Sequence, residues 1–201
     1  MKTRVQQRED SRQRIVDAAI STFSEFGYHG GSTREIAARS GLNQGLVTYH
    51  FQTKDELWRA AADHIFARVR QAQADRLKVI AVEGAHEQSR GLIRDYVRVA
   101  AAYPELFRLM VEEGKHPDER MVWLVETHIR PLYDAFKNFG VMLHVDSAMV
   151  PNAFYTLIGA ASVIFAVAPE CSQLTGQDPT TEDAIERHAE FVARLMVPDP
   201  G

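Results

Sequence analysis

Between Ser32 and Glu56 the chain concentrates side chains that donate, accept or carry charge: Ser32-Thr33-Arg34-Glu35, Asn43-Gln44, Thr48-Tyr49-His50 and Thr53-Lys54-Asp55-Glu56. Ser32 with Glu35 and Thr53 with Glu56 have the three-residue spacing of a capping box, which satisfies the free N–H groups at a helix start. Between them Gly41 suits a tight turn, and Asn43 suits the residue just before a helix. The pattern therefore predicts two short helices hinged on Gly41, followed by a longer one. Two short helices about a glycine turn are the physical minimum of a helix-turn-helix, in which the first helix braces the second in the major groove of DNA. Ile36, Ala37, Leu42 and Val47 are apolar or small where such a unit needs a core.

Residues that could support turnover or a metal are present but not arranged for it. The eight histidines include no pair at the helical i, i+4 spacing with a carboxylate nearby in sequence, so no metal is expected. Cys171 is the only cysteine, which excludes an intrachain disulfide and a thiolate zinc cage within one chain; after Pro169 and Glu170 it is expected to end a helix. No phosphate-binding loop, Gly-x-Ser-x-Gly elbow, His-Glu-x-x-His or dinucleotide fingerprint occurs, so no catalytic residue and no cofactor are assigned.

The elements that must position this segment read as helices throughout, and the fold class is all-α. Apolar residues recur at helical spacing, while alternating β-branched runs and Asn-Gly or Asp-Gly turns are missing. A first helix is predicted over Ser11 to Phe26 with Ile15, Val16, Ala19, Ile20, Phe23 and Phe26 as its stripe, stopped by Gly27. A long helix after Lys54 carries Leu57, Trp58, Ala61, Ala62, Ile65, Phe66 and Val69. Further helices are predicted over 85–102, 104–113, 117–139, 147–167 and 181–196, with Pro104 and Pro117 in first turns. The expected organisation is a flexible arm over 1–10, a helix-turn-helix domain over 11–57 and a larger helical domain over 58–201.

The net charge of -4 hides an asymmetry: residues 1–54 hold eight Lys/Arg against five Asp/Glu, and the rest fifteen against twenty-two. Positive charge thus collects where phosphates would be met. Met1 to Asp10 is too polar for a secretory segment and no run nears about 18 consecutive apolar residues, so a cytoplasmic location without membrane association is expected.

The string Ser32-Thr33-Arg34-Glu35-Ile36-Ala37, followed by Gly41-Leu42-Asn43-Gln44-Gly45-Leu46-Val47-Thr48-Tyr49-His50-Phe51-Gln52-Thr53-Lys54-Asp55-Glu56-Leu57, resembles the signature of the TetR family of transcriptional regulators, over Ser11 to Leu57. The resemblance implies that Thr33 and Arg34 reach DNA from the second helix. It also implies that Gln44, Gly45 and Leu46 face base edges or sugars, and that Thr48, Tyr49, His50 and Lys54 hold phosphates. Chemistry agrees, since Arg pairs with guanine, Gln with adenine and Leu with a thymine methyl, while Tyr, His and Lys donate to phosphate. Thr48 departs from the tyrosine common there, so its hydroxyl would replace that contact or the contact is lost.

The same resemblance implies that the remaining helices bind a small molecule and form a homodimer. Phe107, Met110, Val111, Trp123, Tyr133, Phe136, Phe154 and Tyr155 are the candidate lining of a ligand pocket, although such residues also build plain core. Leu157, Ile158, Ala161 and Ile164, with Ala184, Phe191 and Leu195, are the candidate dimer surface, because the last two predicted helices are apolar over wide arcs. The function expected is a dimeric repressor that binds a palindromic operator in double-stranded DNA and is released by a small, largely apolar effector. An activator, a ligand-independent regulator of the same fold and an α-helical enzyme with a vestigial N-terminal module are the alternatives.

Overall fold

Residues 3–77, 85–142 and 146–199 of the chain are described by the computed structural model, and among them no strand occurs. Helix α1 runs Arg4–Gly30. It opens at Thr3, whose hydroxyl accepts from the Gln6 N–H while the Gln6 side chain accepts from the Thr3 N–H. The arm expected over 1–10 is therefore helical from Arg4 onward; Met1 and Lys2 lie outside the described residues. Periodicity could not place this start, because residues 3–10 are all exposed and carry no apolar stripe. Burial begins at Ile15 and continues through Val16, Ala19, Ile20 and Phe23. Phe26, expected on that stripe, is instead exposed and lies under the Arg39 guanidinium. Gly27 kinks the helix with φ +66 rather than ending it; side-chained residues rarely adopt that angle.

Helices α2 (Thr33–Ser40) and α3 (Gln44–His50) are joined through Gly41, which takes φ 65 and sends its N–H to the carbonyls of Ala37 and Ala38. The long helix α4 (Lys54–Leu77) follows. Then come α5 (Ala85–Ala102), α6 (Pro104–Glu113) and α7 (Glu119–Leu124). A single π-helical turn, Val125–Ile129, carries α7 into α8 (Arg130–Met142). The helix predicted over 117–139 thus starts two residues late, because the Asp118 carboxylate caps it by accepting from the N–H groups of Arg120 and Met121. A short 3-10 turn leads into α9 (Val150–Ala166), and α11 (Glu182–Met196) closes the chain. Between them lies α10 (Ala168–Thr175), which the sequence reading missed; Cys171 sits inside it rather than at a helix end.

Two apolar cores result. One joins Ile15, Phe23, Ile36, Val47, Leu57, Trp58, Ile65 and Phe66 with Leu109 of α6 and Leu124 of α7. Packing thus runs straight across the boundary expected at residue 57. The other joins Ile93 and Val97 of α5, Ala161 and Phe165 of α9, and Ala189, Val192 and Ala193 of α11. Ser147–Ala166 has the length and apolarity of a membrane-spanning helix, but within the fold it packs on α5, α6 and α11 and buries Val150, Phe154, Ala161, Ser162 and Phe165.

Candidate nucleic-acid interface and ligand cavity

Helix α3 is held by few groups. Asn43 accepts from the Leu46 N–H, Val47 is its buried residue, and Phe51 anchors the exit. At 100° per residue, burying Val47 turns Gln44, Gly45, Thr48 and Tyr49 outward together. All four are exposed, Tyr49 to 66%. Arg14 of α1 fixes the turn by donating to the carbonyls of Ser40, at 2.6 Å, and Gly41. A Cβ at Gly41 would lie 2.9 Å from that guanidinium, so geometry as well as φ demands glycine. On α2, Arg34 is exposed and Thr33 half-buried. The two capping boxes form only in part. Ser32 accepts from the Glu35 N–H, but the Glu35 carboxylate pairs with Arg39. Glu56 accepts from the Gln52 N–H, one residue before the expected donor.

Three expected phosphate ligands have prior partners. The Thr48 hydroxyl donates to the Gln44 carbonyl at 3.2 Å. His50 is half-buried with Nε2 2.8 Å from the Ser11 hydroxyl, and burial, then Arg8 and Arg12, hold its imidazole below the ordinary 6.5. Lys54 sits with Nζ 4.6 Å from the Tyr28 ring centroid and 3.4 Å from the His29 carbonyl; burial and Arg120 lower its pKa. The sequence reading missed two cations beside α3. Arg8 lies over Tyr49 at 5.9 Å and Arg12 over Phe51 at 5.3 Å. The Arg4, Arg8, Arg12 spacing, one helical turn each, was the available signal.

Lys54 belongs to a seam between this module and the helices beyond it. The Glu113 carboxylate, 2% exposed, accepts from the Tyr28 N–H at 2.9 Å. Arg120 lies 3.7 Å from the Tyr28 ring centroid, pairs with Asp118 and reaches His29 Nε2 at 3.2 Å. Its Nε is 3.7 Å from Glu113 and is buried without a hydrogen bond, as is Nε1 of Trp58. A second link joins α4 to the π-helical turn: buried His128 stacks on Phe66, with Nε2 2.9 Å from Asp63 and Nδ1 3.2 Å from Arg70. Burial outweighs Asp63 and lowers the His128 pKa.

A cavity of about 830 Å³ lies behind the seam. Phe107, Met110, Val111, Tyr133, Phe154 and Tyr155 of the expected lining all border it. Trp123 does not; it packs on Trp58 and His128 in the first core. Phe136 is also absent from the wall, resting on Phe154 from behind. Phe66 and Val69 of α4, and Gly114, Lys115 and Met121 beside the seam, complete contact with both links. Among the described residues no three His, Cys, Asp or Glu side chains converge as a metal site would require.

The expected dimer surface divides. Ala161 is fully buried and Ile158 borders the cavity, so neither offers an outer contact; Leu157 and Ile164 are half-buried on the second core. Ala184 is half-buried, whereas Phe191 and Leu195 are 63% and 57% exposed. On α9 the exposed large hydrophobic residues are Tyr155, at the cavity, and Val163, with Val167 just beyond the helix. The chain's own α5 packs on part of this stripe, through Ile93 and Val97 against Ala161.

Comparison with known proteins agrees with this geometry. The sequence profile of the bacterial regulatory proteins of the tetR family matches residues 15–61. The HTH-type transcriptional repressor NicS of Pseudomonas putida is 31% identical over 114 residues, and that match covers 56% of this chain and about half, 52%, of NicS. The HTH-type transcriptional repressor Rv3405c of Mycobacterium tuberculosis is 28% identical over 199 residues, 95% of this chain and 92% of that one. Among solved structures, AibR in complex with isovaleryl coenzyme A and operator DNA has the same fold, with a TM-score of 0.70 at 16% identity over 94% of this chain and 100% of AibR. With a glycine-hinged pair of short helices, a profile that matches that pair, and repressors alike in sequence, residues 15–61 carry the module of the tetR family of bacterial regulatory proteins, and the chain is similar in sequence to HTH-type transcriptional repressors.

Proposed function

We propose that the protein is a cytoplasmic homodimeric repressor that binds a palindromic operator and leaves it when a small, largely apolar molecule enters the cavity. The observation that carries the reading is the position of the cavity. Its wall includes Phe66 of α4 as well as Gly114 and Met121, which flank Arg120 and Glu113 at the seam with Tyr28 and Lys54. A molecule that moves this wall acts on the joint holding the reading head. The unpaired buried Arg120 Nε and Trp58 Nε1 support a joint with a second arrangement, since each orphan costs on the order of 1–3 kcal/mol.

In this reading Arg34, Gln44 and Leu46 read bases, Arg8, Arg12 and Lys54 neutralise phosphates, and the Tyr49 hydroxyl donates to one. His50 positions α3 through Ser11. A partner packs on Phe191, Leu195 and Val163, where α9 and α11 of two copies make a four-helix interface. The apolar wall suits an acyl or aromatic group, and the isovaleryl part of the coenzyme A thioester held by AibR is of that kind.

The test selects bound fragments from random DNA and titrates the winning operator with and without candidate molecules. An effector can shift binding only by its difference in affinity between the free and DNA-bound forms, so release of about 5–150-fold is expected. Equal affinity of every cavity-bound molecule for both forms refutes the mechanism.

A further inference from the structure

The cavity wall changes character with depth. Gly114, Lys115, Arg130, Pro151 and Tyr155 are exposed and mark its opening, whereas Phe66, Val69, Val99 and Ser162 are buried. The two cations of the wall stay at the opening, Lys115 paired with Glu112 and Arg130 with Glu126. The inner wall is mainly apolar, and its hydroxyls include Tyr96 of α5 and Ser162 of α9, near enough for Ser162 to act on the Tyr96 phenol. Ser162 is 4% exposed. Each hydroxyl has one hydrogen to donate, so even a bond between them would leave one O–H to find an acceptor elsewhere. Both residues border the cavity, where an accepting oxygen of a bound molecule can meet that O–H.

Resting on the reading of the cavity as the effector site, we propose that Tyr96 and Ser162 set its specificity. The effector is a mainly apolar molecule whose buried part is neutral and carries one accepting oxygen, a carbonyl or hydroxyl, not a bare hydrocarbon. A carbonyl set against this pair satisfies the spare O–H, which a hydrocarbon leaves unmade at depth. Neutrality follows from the surroundings. Burial pushes the Tyr96 phenol up to about 12, so it remains a donor, and the same desolvation opposes an ionised ligand group beside it. An anionic extension is tolerated only at the opening, where exposed ion pairs such as those of Lys115 and Arg130 are weak enough to exchange partners.

The experiment compares benzylacetone with butylbenzene, which share a carbon skeleton and differ by one carbonyl. Both compete with fluorescent phenylnaphthylamine on the full chain. Tyr96→Phe, which keeps the ring, should weaken benzylacetone by about five- to tenfold and leave butylbenzene within about twofold. Ser162→Ala should act in the same direction. Equal shifts for both compounds, no shift for either, or failure of benzylacetone to displace bound phenylnaphthylamine overturns the inference. The reading beneath it is judged separately, by operator affinity in the presence of benzylacetone. Oxygen selectivity without any DNA response overturns effector release alone, and a DNA response without selectivity overturns this inference alone.

Discussion

Removing the Glu113 carboxylate should destabilise the chain more than most single changes, because this one group closes the seam between the reading head and the cavity. In Glu113→Ala the Tyr28 N–H loses its acceptor at 2.9 Å, and a hydrogen bond to a charged group contributes about 1.5–3 kcal/mol. Arg120 loses its nearest buried anion, 3.7 Å away. Orphaning a buried charge costs about 3–5 kcal/mol, but here Asp118 and His29 still hold the guanidinium, so only a fraction applies. The sum is about 3 kcal/mol, or a fall in Tm of roughly 6–12 °C for a chain of this size. Glu113→Gln keeps an acceptor for Tyr28 and should lose only about 1–2 kcal/mol. Urea unfolding at one fixed protein concentration measures both, because any self-association would make stability depend on concentration. A double-mutant cycle with Arg120→Leu should return a coupling of about 1 kcal/mol or more between contacting residues. A Glu113→Ala loss under about 0.5 kcal/mol, or additive single changes, would refute the seam as an energetic link.

Other consequences are open to measurement. Arg34→Ala or Gln44→Ala should cost about 1–3 kcal/mol on the selected operator and relax preference at one symmetric pair of positions, read by competition with variant operators. Lys54→Ala should weaken all sequences alike and flatten the log–log salt dependence by about one unit per subunit; a changed sequence preference would contradict its phosphate role. Gly159 borders the cavity and an added Cβ there meets nothing within 4 Å, so Gly159→Leu should fill the space, abolish phenylnaphthylamine uptake and preserve operator binding. Leu195→Glu should place charge on the exposed face of α11 and shift sedimentation toward monomer, without unfolding a core it does not join. Burial lowers the pKa values of His50, His128 and His188 from 6.5, so below that pH the unfolded chain takes up protons first. Stability should therefore fall as pH drops from about 6.5 toward the lower folded values, and the urea midpoint should be lower at about pH 5.5 than at about 7.5.

Local rules sufficed for much of the reading head. Gly41, Asn43, Thr53 and the apolar periods carry their information within a few residues, because caps, turns and helical stripes are short-range geometry; α2 and α3 therefore stand where the sequence put them. The same locality explains the failures at α1 and α10. A capping box at Thr3 and a proline in the first turn of a short helix start helices that no apolar stripe announces. The sequence also told which residues are apolar but not which neighbour each would meet. Trp123 joined the first core, Ala161 was taken by α5 and α11, and Phe107 with Tyr133 came to face a common space. Burial is decided by which helices approach, and that is a property of the packed chain. Polar partners separated by long stretches of chain were beyond sequence reading for the same reason. Glu113 with Tyr28 and His128 with Asp63 are 85 and 65 residues apart, and only folding brings each pair within bonding range, where exclusion of water gives those bonds their weight.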